Sequence, residues 1–148
     1  MRLVIIQHQH SLRCESHQYG RLIVRLMMQI DEFFTGFELS RTLYDALAEV
    51  VSHITPSTIR VTKSQVAFWD GKPFLWVWIH GRYLKNRPTA PLVLTVVYQQ
   101  KDPSPRWKQV VQNRKGWFTH HLELFCVDKI DEEVIDWVAQ SWRENTST

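Results

Sequence analysis

The sequence predicts a single α+β domain, in which a mostly antiparallel sheet of about five strands packs against two main helices. Three observations lead to this fold class. Short β-prone runs, several of them alternating, recur between residues 59 and 126, which is typical of strands. Apolar residues recur at steps of three or four near 39–54 and 131–143, which is the period of an amphipathic helix. A chain of 148 residues with 44% hydrophobic residues can bury one core.

The first 30 residues are expected to form a leader whose structure is poorly determined by the sequence. Residues 1–20 have no regular hydrophobic period, and residues 21–30 are apolar enough for either a short helix or an edge strand. The apolar run Leu3–Ile6 is too short for the core of a signal peptide.

Membrane insertion and a disulfide framework are not expected. Arg25 interrupts the apolar run Leu22–Met28, so no segment is predicted to span a membrane. The two cysteines, Cys14 and Cys126, are far apart and allow at most one disulfide. A cytoplasmic protein is therefore the expectation.

The next predicted element is a helix of about four turns. Thr35 and Gly36 break the chain before it, and Pro56 prevents its continuation. Its apolar stripe consists of Leu39, Leu43, Leu47, Val50 and Ile54.

Four strands are predicted after this helix. Ile59–Thr62 and Gln65–Trp69 are short β-prone runs. The turn residues Asp70–Pro73 then predict a hairpin into a strand over Phe74–His80. Both faces of that strand are apolar, as are both faces of Leu92–Tyr98, so we expect both to be central and covered on both sides.

A turn at Asp102–Pro105 is predicted to lead into a short helix, with Ser104 as its N-cap and Pro105 at its first position. The last predicted strand is Trp117–Cys126. A C-terminal helix begins near Asp131, where an acidic cluster suits the positive end of a helix. The domain is expected to end at residue 144, and residues 145–148 are expected to fray.

Six sequence blocks resemble a bacterial family catalogued as domain of unknown function 5655, and together they extend over roughly residues 31–143. The resemblance implies an α+β, cytoplasmic domain but no activity. The blocks are Phe33–Gly36, Leu43–Leu47, Val61–Phe68, Ser104–Val111, Phe118–Leu124 and Ile130–Trp137.

Some similar proteins in that family begin with a cysteine-rich segment that resembles a zinc ribbon, ahead of the shared domain. Here the corresponding region has only Cys14, beside His8, His10 and His17. Thiolate and imidazole are zinc ligands, but chance clustering is the preferred interpretation. We therefore expect no metal and no cofactor.

Charge is unevenly distributed along the chain. Between Arg82 and Lys115 there are eight basic residues and one acid, Asp102, whereas seven acids lie between Glu123 and Glu144. A basic face could attract anionic partners. The alternative is that these charges lie on solvated loops around the sheet.

The pair His120–His121 is the first candidate for a site. On a strand the two side chains point to opposite faces. One interpretation is a buried, hydrogen-bonded His120 and a solvated His121. The other places His121 and Glu123 beside Lys63 around a catalytic or binding pocket, and their spacing shows no third metal ligand.

The tryptophans allow a second interpretation of the same region. They can belong to the core, or they can line a groove beside Arg82, Arg106 and Lys108, which would suit an aromatic anion or single-stranded nucleic acid. The residues concerned are Trp69, Trp76, Trp78, Trp107 and Trp117.

The leading prediction is a binding module that recognises a small anionic ligand or a protein partner through a basic, aromatic face. A small enzyme and a single-stranded nucleic-acid binder are the alternatives, although common local motifs of catalysis are absent from the sequence. The candidate binding residues are Lys63, Arg82, Arg106, Lys108, Trp117, His120, His121 and Glu123.

Overall fold

A computed structural model describes residues 15–84 and 88–147 of the chain. This part forms three α-helices and six β-strands. The helices are α1 (Glu15–Phe33), α2 (Glu38–Ile54) and α3 (Glu132–Thr146). The strands are β1 (Thr58–Val61), β2 (Val66–Asp70), β3 (Lys72–Trp78), β4 (Leu92–Tyr98), β5 (Gln109–Arg114) and β6 (Trp117–Leu124).

The six strands form one antiparallel sheet in the order β1-β2-β3-β4-β6-β5. The predicted α+β domain is therefore confirmed, with one strand more than the five expected. Gly71 has a φ of 71° in the tight turn between β2 and β3, a conformation that glycine adopts without steric cost. The predicted hairpin at this turn is confirmed.

One side of the sheet, here called the covered face, packs against the helices. Leu94 and Leu122 from the central strands are buried there, together with Leu47 of α2 and Val138 of α3. The end of α1 joins this core through Phe33. Because all three helices contribute to this one core, the domain has a helical layer on one side of the sheet.

A serine of α3 separates β3 from β4 at one end of the sheet. The strand register would place Phe74 opposite Val97, but the pairing of the two strands stops at Trp76. The buried Ser141 hydroxyl instead donates to the Phe74 carbonyl at 2.6 Å and accepts from the Val97 N–H at 3.1 Å. This side chain therefore replaces strand pairing and fixes α3 to the sheet.

Asp131 is the N-cap of α3, as the acidic cluster predicted. Its carboxylate accepts from the N–H of Val134 at 3.2 Å. Asn145 and Thr146, which were expected in a frayed tail, are the last residues of this helix. The Asn145 amide donates to the Val97 carbonyl at 2.5 Å, and this contact holds the last turn of α3 against the sheet.

Residues 15–30 of the leader, whose structure the sequence left open, form most of α1. Of the two alternatives for residues 21–30, the helix is the one observed, while residues 1–14 lie outside the described part. Two other sequence predictions need correction. The short helix predicted after Ser104 is absent from the described residues, where a turn leads into β5. The strand predicted over Phe74–His80 ends at Trp78, and His80 begins a short 3-10 turn.

The prediction that β3 is covered on both sides is also wrong. Trp76 and Trp78 are partly exposed on the side opposite the helical layer. The tryptophans led to the prediction that this side is buried. Apolar residues in a strand do not reveal whether a second layer packs on them.

Within the described residues, no helix combines the length and the apolar character needed to cross a bilayer.

Candidate functional site

The second side of the sheet, here called the open face, carries the candidate site. In the described part of the chain no helix packs on it. Strand register brings Trp76 beside Thr95, and Thr95 beside His121. The polar and aromatic side chains of the open face are Arg60, Trp69, Trp76, Trp78, Thr95, Lys108, Arg114, Trp117, His121 and Glu123.

A line of polar contacts crosses the centre of the open face. The Trp78 indole N–H donates to Thr95 Oγ1 at 3.3 Å. Thr95 Oγ1 lies 2.8 Å from His121 Nδ1, and the Trp78 and His121 rings meet edge to face at 6.3 Å. Thr95 is buried and links Trp78 to His121, both of which are partly exposed.

These contacts also determine how His121 meets a ligand. Burial lowers the pKa of His121 below its ordinary value of 6.5, so the ring is neutral at pH 7. Nδ1 is occupied by its hydrogen bond with the Thr95 hydroxyl. Nε2 has no partner among the described residues, so His121 presents a neutral imidazole with one free ring nitrogen.

Cationic side chains lie at both edges of the open face. Arg60 stacks on Trp69 with its guanidinium carbon 3.7 Å from the ring centroid, at the β1 edge. Arg114 lies 4.6 Å from the Trp117 ring at the β5 edge. Stacked guanidinium groups keep their N–H donors at the ring edge, where an anion can reach them.

The acid Glu123 does not cancel this positive charge. Its carboxylate lies 3.3 Å from Lys108 Nζ, and both side chains are partly exposed. This surface ion pair contributes little energy, so an anionic ligand can bind Lys108 beside Glu123 or in place of it.

His120, the other half of the predicted pair, lies on the covered face and is fully buried. Its Nδ1 donates to the Phe118 carbonyl at 3.1 Å, and its Nε2 accepts from the Asp102 N–H at 3.0 Å. The ring stacks on Tyr98 at 4.2 Å between centroids. Burial lowers the pKa of His120, because the charge of Asp102 does not offset the lost solvation. His120 therefore has a structural role.

Asp102 organises the polar part of the same core. Its carboxylate accepts from the Ser104 N–H at 2.8 Å, the Trp137 indole at 3.0 Å and the Tyr98 hydroxyl at 3.3 Å. Burial alone would raise the pKa of Asp102, but these hydrogen bonds outweigh it and lower the pKa. Sequence reasoning treated Asp102 only as a turn residue.

Arg106 is also used inside the fold. Its guanidinium lies 3.0 Å from Asp131 and 2.9 Å from Glu133, and it donates to the Lys129 carbonyl at 3.1 Å. Burial would lower the pKa of Arg106, but these two carboxylates raise it. Arg106 fastens the start of α3 and does not belong to the open face.

Lys63 and Arg82 meet at a separate, shallow cleft of about 350 Å³ beside the end of α1. Arg82 is bound within the fold, because its guanidinium donates to the carbonyls of Lys63, at 3.1 Å, and of Phe33. It also stacks on the Phe33 ring at 4.4 Å. Lys63 is exposed, and its ammonium group makes no hydrogen bond or ion pair with the described residues.

The structure thus divides the predicted site residues into three groups. Lys108, Trp117, His121 and Glu123 share the open face. Lys63 and Arg82 line the cleft at the other end of the sheet, four strands from β6, so they do not surround a pocket with His121 and Glu123. Arg106 and His120 stabilise the core.

Sequence reasoning missed Arg60, Thr95 and Arg114. Alternation along a strand predicts to which side of that strand each of these residues points. Whether they lie near the tryptophans depends on the order of the strands and on their register, which alternation does not give. No cluster of three or more metal-ligating side chains occurs in the described residues. The predicted ligand cluster in the leader, His8 to His17, lies outside the residues whose side chains are described.

Two comparisons, one with curated proteins and one with solved structures, found no match for this chain. A third comparison, with protein families, matched residues 30–145, which include every strand of the sheet, α2 and all of α3 but its last residue. The match covers most of the chain and agrees with the sequence blocks described above. The chain therefore belongs to the family described as domain of unknown function DUF5655.

Proposed function

We propose that this protein is a non-enzymatic binding module whose open face recognises a small ligand that combines an aromatic plane with negative charge. The single observation that carries the proposal is the position of Trp76 and Trp78. They are partly exposed at the centre of a sheet, on the side away from the helices. An aromatic surface left in water at the centre of a domain favours a binding role over a core role.

The arrangement of residues on the open face supports binding over catalysis. Trp76 and Trp78 are partly exposed, so their rings are accessible to a planar group that can stack on them. His121 and Glu123 do not converge with Lys63, which removes the set of three residues that the enzyme alternative required. Partly exposed rings without a converging catalytic set are suited to recognition.

The charge of the open face supports an anionic ligand. Among the described residues that reach it, Arg60, Lys108 and Arg114 outnumber the one acid, Glu123. Stacking on the tryptophans would hold the aromatic part of a ligand, and a neighbouring cation would pair with its anionic part.

Titrations with three related probes test this proposal through tryptophan fluorescence. Adenosine 5′-monophosphate carries both an aromatic plane and a charge, whereas adenosine carries only the plane and inorganic phosphate only the charge. We expect the monophosphate to bind at least tenfold more tightly than either partial probe, since each lacks one kind of contact. Absence of a saturable response to the monophosphate would contradict the proposal.

Matched variants assign the binding to the open face. Trp76→Ala and Lys108→Ala should each weaken binding of the monophosphate, by roughly 5- to 30-fold for the tryptophan and less for the lysine. Two exposed residues away from this face serve as controls: Tyr83→Ala for the aromatic change and Arg143→Ala for the charge change. Equal losses in the control variants would place the binding elsewhere.

A second candidate, binding of single-stranded nucleic acid, is favoured by the width of the open face. Stacked arginine–tryptophan pairs lie on strands near both edges, at Trp69 and Trp117. Six strands extend about 24 Å at a spacing of about 4.8 Å, which is longer than a mononucleotide. If this candidate is correct, a 12-residue oligothymidylate will bind more tightly than the monophosphate, and its affinity will fall steeply with added salt.

We also propose a cytoplasmic location, because two cysteines are too few for the disulfide framework typical of small secreted domains. A protein partner for the open face is the third outcome of these experiments. It would be indicated by folded protein that binds none of the three small probes and no oligonucleotide.

A further inference from the structure

Strand β5 forms one edge of the sheet, and its outer side has no partner strand among the described residues. It pairs only with β6, and five of its six residues are exposed. At the other edge of the sheet, β1 contacts α1. Every second residue of an edge strand directs its backbone N–H and C=O groups away from the sheet. The outer side of β5 therefore offers a row of hydrogen-bonding groups to a further strand.

The side chains that β5 directs to the open face form a pattern of charge and apolar surface. Val111 lies opposite Thr119, two residues from His121 on β6, so it points to the same face as His121. Val111 is 39% exposed. Lys108 precedes it and Arg114 follows it, and both belong to the open face as described above. The edge thus presents an exposed apolar residue between two cations.

Positive charge predominates along this edge. Residues 108–119, which form β5, the turn and the start of β6, contain three cations and no acid. Arg114 and Lys115 form no ion pair with the described residues, and Lys108 pairs with Glu123 alone. Opposite charges on neighbouring strands contribute about 0.2–1 kcal/mol for each pair. A strand with acidic side chains is therefore the one that this edge favours.

The same charges disfavour two other occupants of the edge. If two copies of β5 paired in antiparallel orientation about Val111, Lys108 of each copy would lie opposite Arg114 of the other. Like charges directly opposite each other destabilise a sheet. The segment 1–14 of the same chain carries two arginines and no acid, so its charge does not complement the edge either. An acidic segment from another protein has the charge that these two lack.

We propose that β5 binds an extended acidic peptide segment of a partner protein, which pairs with it as a seventh strand of the sheet. An apolar residue of the peptide faces Val111. Acidic residues two positions before and after it share that face and lie near Lys108 and Arg114. Main-chain hydrogen bonds supply the affinity, and these side chains supply the selectivity. One added strand is a small contact, so we expect the complex to be weak and transient.

A peptide without aromatic residues tests this proposal. Its sequence is Thr-Glu-Thr-Val-Thr-Glu-Thr with both ends blocked, and NMR follows its titration into the isotope-labelled full chain over roughly 0.05–5 mM. We expect a saturable change in the amide signals of β5 and slower hydrogen exchange of its outward N–H groups. A charge-reversed peptide, with lysine in place of each glutamate, should bind roughly tenfold more weakly.

Methylation of the peptide backbone separates strand pairing from simple attraction between charges. Two forms of the acidic peptide are methylated at alternate backbone nitrogens, one form in each of the two possible phases, and both keep every side chain and charge. The form that lacks the N–H groups facing β5 should fail to bind. The other form, which is methylated along its outer edge, should bind as the parent peptide does.

A charge reversal in the protein tests the position of the acidic residues. Arg114→Glu should weaken binding of the acidic peptide by roughly fivefold and strengthen binding of the charge-reversed peptide, because one end of the edge changes sign. Arg143→Glu makes the same change at an exposed position of α3 and should alter neither affinity. Circular dichroism controls for folding of both variants.

Three results would overturn the inference. They are no saturable binding of the acidic peptide, equal binding of the two methylated forms, and signal changes that lie away from β5. Because the peptide has no aromatic ring, these results are independent of the titration with adenosine 5′-monophosphate. The edge can therefore fail this test while the open face passes its own, and the reverse also holds.

Discussion

His120 and His121 are neighbours in the chain, yet they lie in the two contrasting environments of this molecule. His120 lies on the covered face, fully buried, and both of its ring nitrogens have partners. His121 lies on the open face and uses only Nδ1 within the described structure. A ring whose two nitrogens are both hydrogen-bonded, as in His120, is fixed within the fold, whereas the free ring nitrogen of His121 is available to a ligand.

The tryptophans follow the same division. Trp107 and Trp137 are buried on the covered face, with ring centroids 4.1 Å apart, and Trp137 donates to Asp102. Trp76 and Trp78 are partly exposed on the other side. The covered face therefore accounts for stability, and the open face is the region in which function can be sought.

The largest expected difference between the two faces is the effect of replacing each histidine on stability. His120→Ala removes a buried ring and leaves the Asp102 N–H and the Phe118 carbonyl without partners, so we expect a loss of about 3 kcal/mol in the free energy of unfolding. His121→Ala should cost about 1 kcal/mol or less, since its ring is partly exposed. Urea unfolding of both variants measures this difference, and equal losses would contradict the division into two faces.

Ser141→Ala tests how the covered face holds its helical layer. The hydroxyl supplies partners to the Phe74 carbonyl and the Val97 N–H, where strand pairing has stopped. Its loss should cost about 1–3 kcal/mol, because both groups are buried polar atoms. The control Ser52→Ala removes an exposed hydroxyl that bonds only within α2, and it should change stability by about 0.5 kcal/mol at most.

Stability should decrease as the pH falls below about 6.5, and His120 should contribute to that decrease. Burial lowers the folded-state pKa of His120, so the unfolded chain takes up a proton at a higher pH than the folded protein does. The stabilisation is therefore complete above the unfolded pKa and is lost as the pH falls towards the folded pKa. His121, whose pKa burial also lowers, contributes in the same direction.

Urea unfolding between pH 7.5 and 5 measures how the free energy of unfolding changes with pH. This slope is at most about 1.4 kcal/mol per pH unit for each titrating histidine. His120→Asn should reduce the slope, because it removes one of the two titrating groups. A slope that is unchanged in this variant would show that His120 is not the group responsible. The lowered pKa of Asp102 acts only at lower pH, below its ordinary value of 3.8.

The smallest expected effect is that of Arg60→Ala on the open face. Its stacking on Trp69 is a surface cation–π contact, worth about 0.5–1 kcal/mol. We expect stability to change by no more than this, while affinity for the anionic probe falls. Thermal unfolding and the fluorescence titration measure the two effects. A large loss of stability would show that Arg60 mainly stabilises the fold.

Local patterns in the sequence predicted much of the fold. The helix α2, the hairpin at Asp70–Gly71 and the opposite directions of His120 and His121 all follow from residue spacing, and the structure confirms them. The predicted stripe of α2 is confirmed only in part, because Leu43 and Leu47 are buried but Leu39 is exposed. Strand β5 was missed because Gln109–Arg114 is mostly polar and exposed, so it lacks the apolar alternation of a half-buried strand.

The site was less predictable, because it depends on which strands become neighbours. Alternation correctly placed His121 and Glu123 on one face. It could not show that Lys108 would reach them, that Arg106 would instead bind Asp131 and Glu133, or that Lys63 would lie four strands away. These are contacts between distant parts of the chain, which local periodicity does not determine.

The central claim is that one side of the sheet carries tryptophans accessible to solvent while the other side buries them. Hydroxyl-radical footprinting of the folded protein, resolved at single tryptophans by mass spectrometry, tests it directly. The structure predicts oxidation of Trp76, Trp78 and Trp117, with Trp107 and Trp137 protected until the protein unfolds. Protection of Trp76 and Trp78 to the same degree as Trp107 would contradict it.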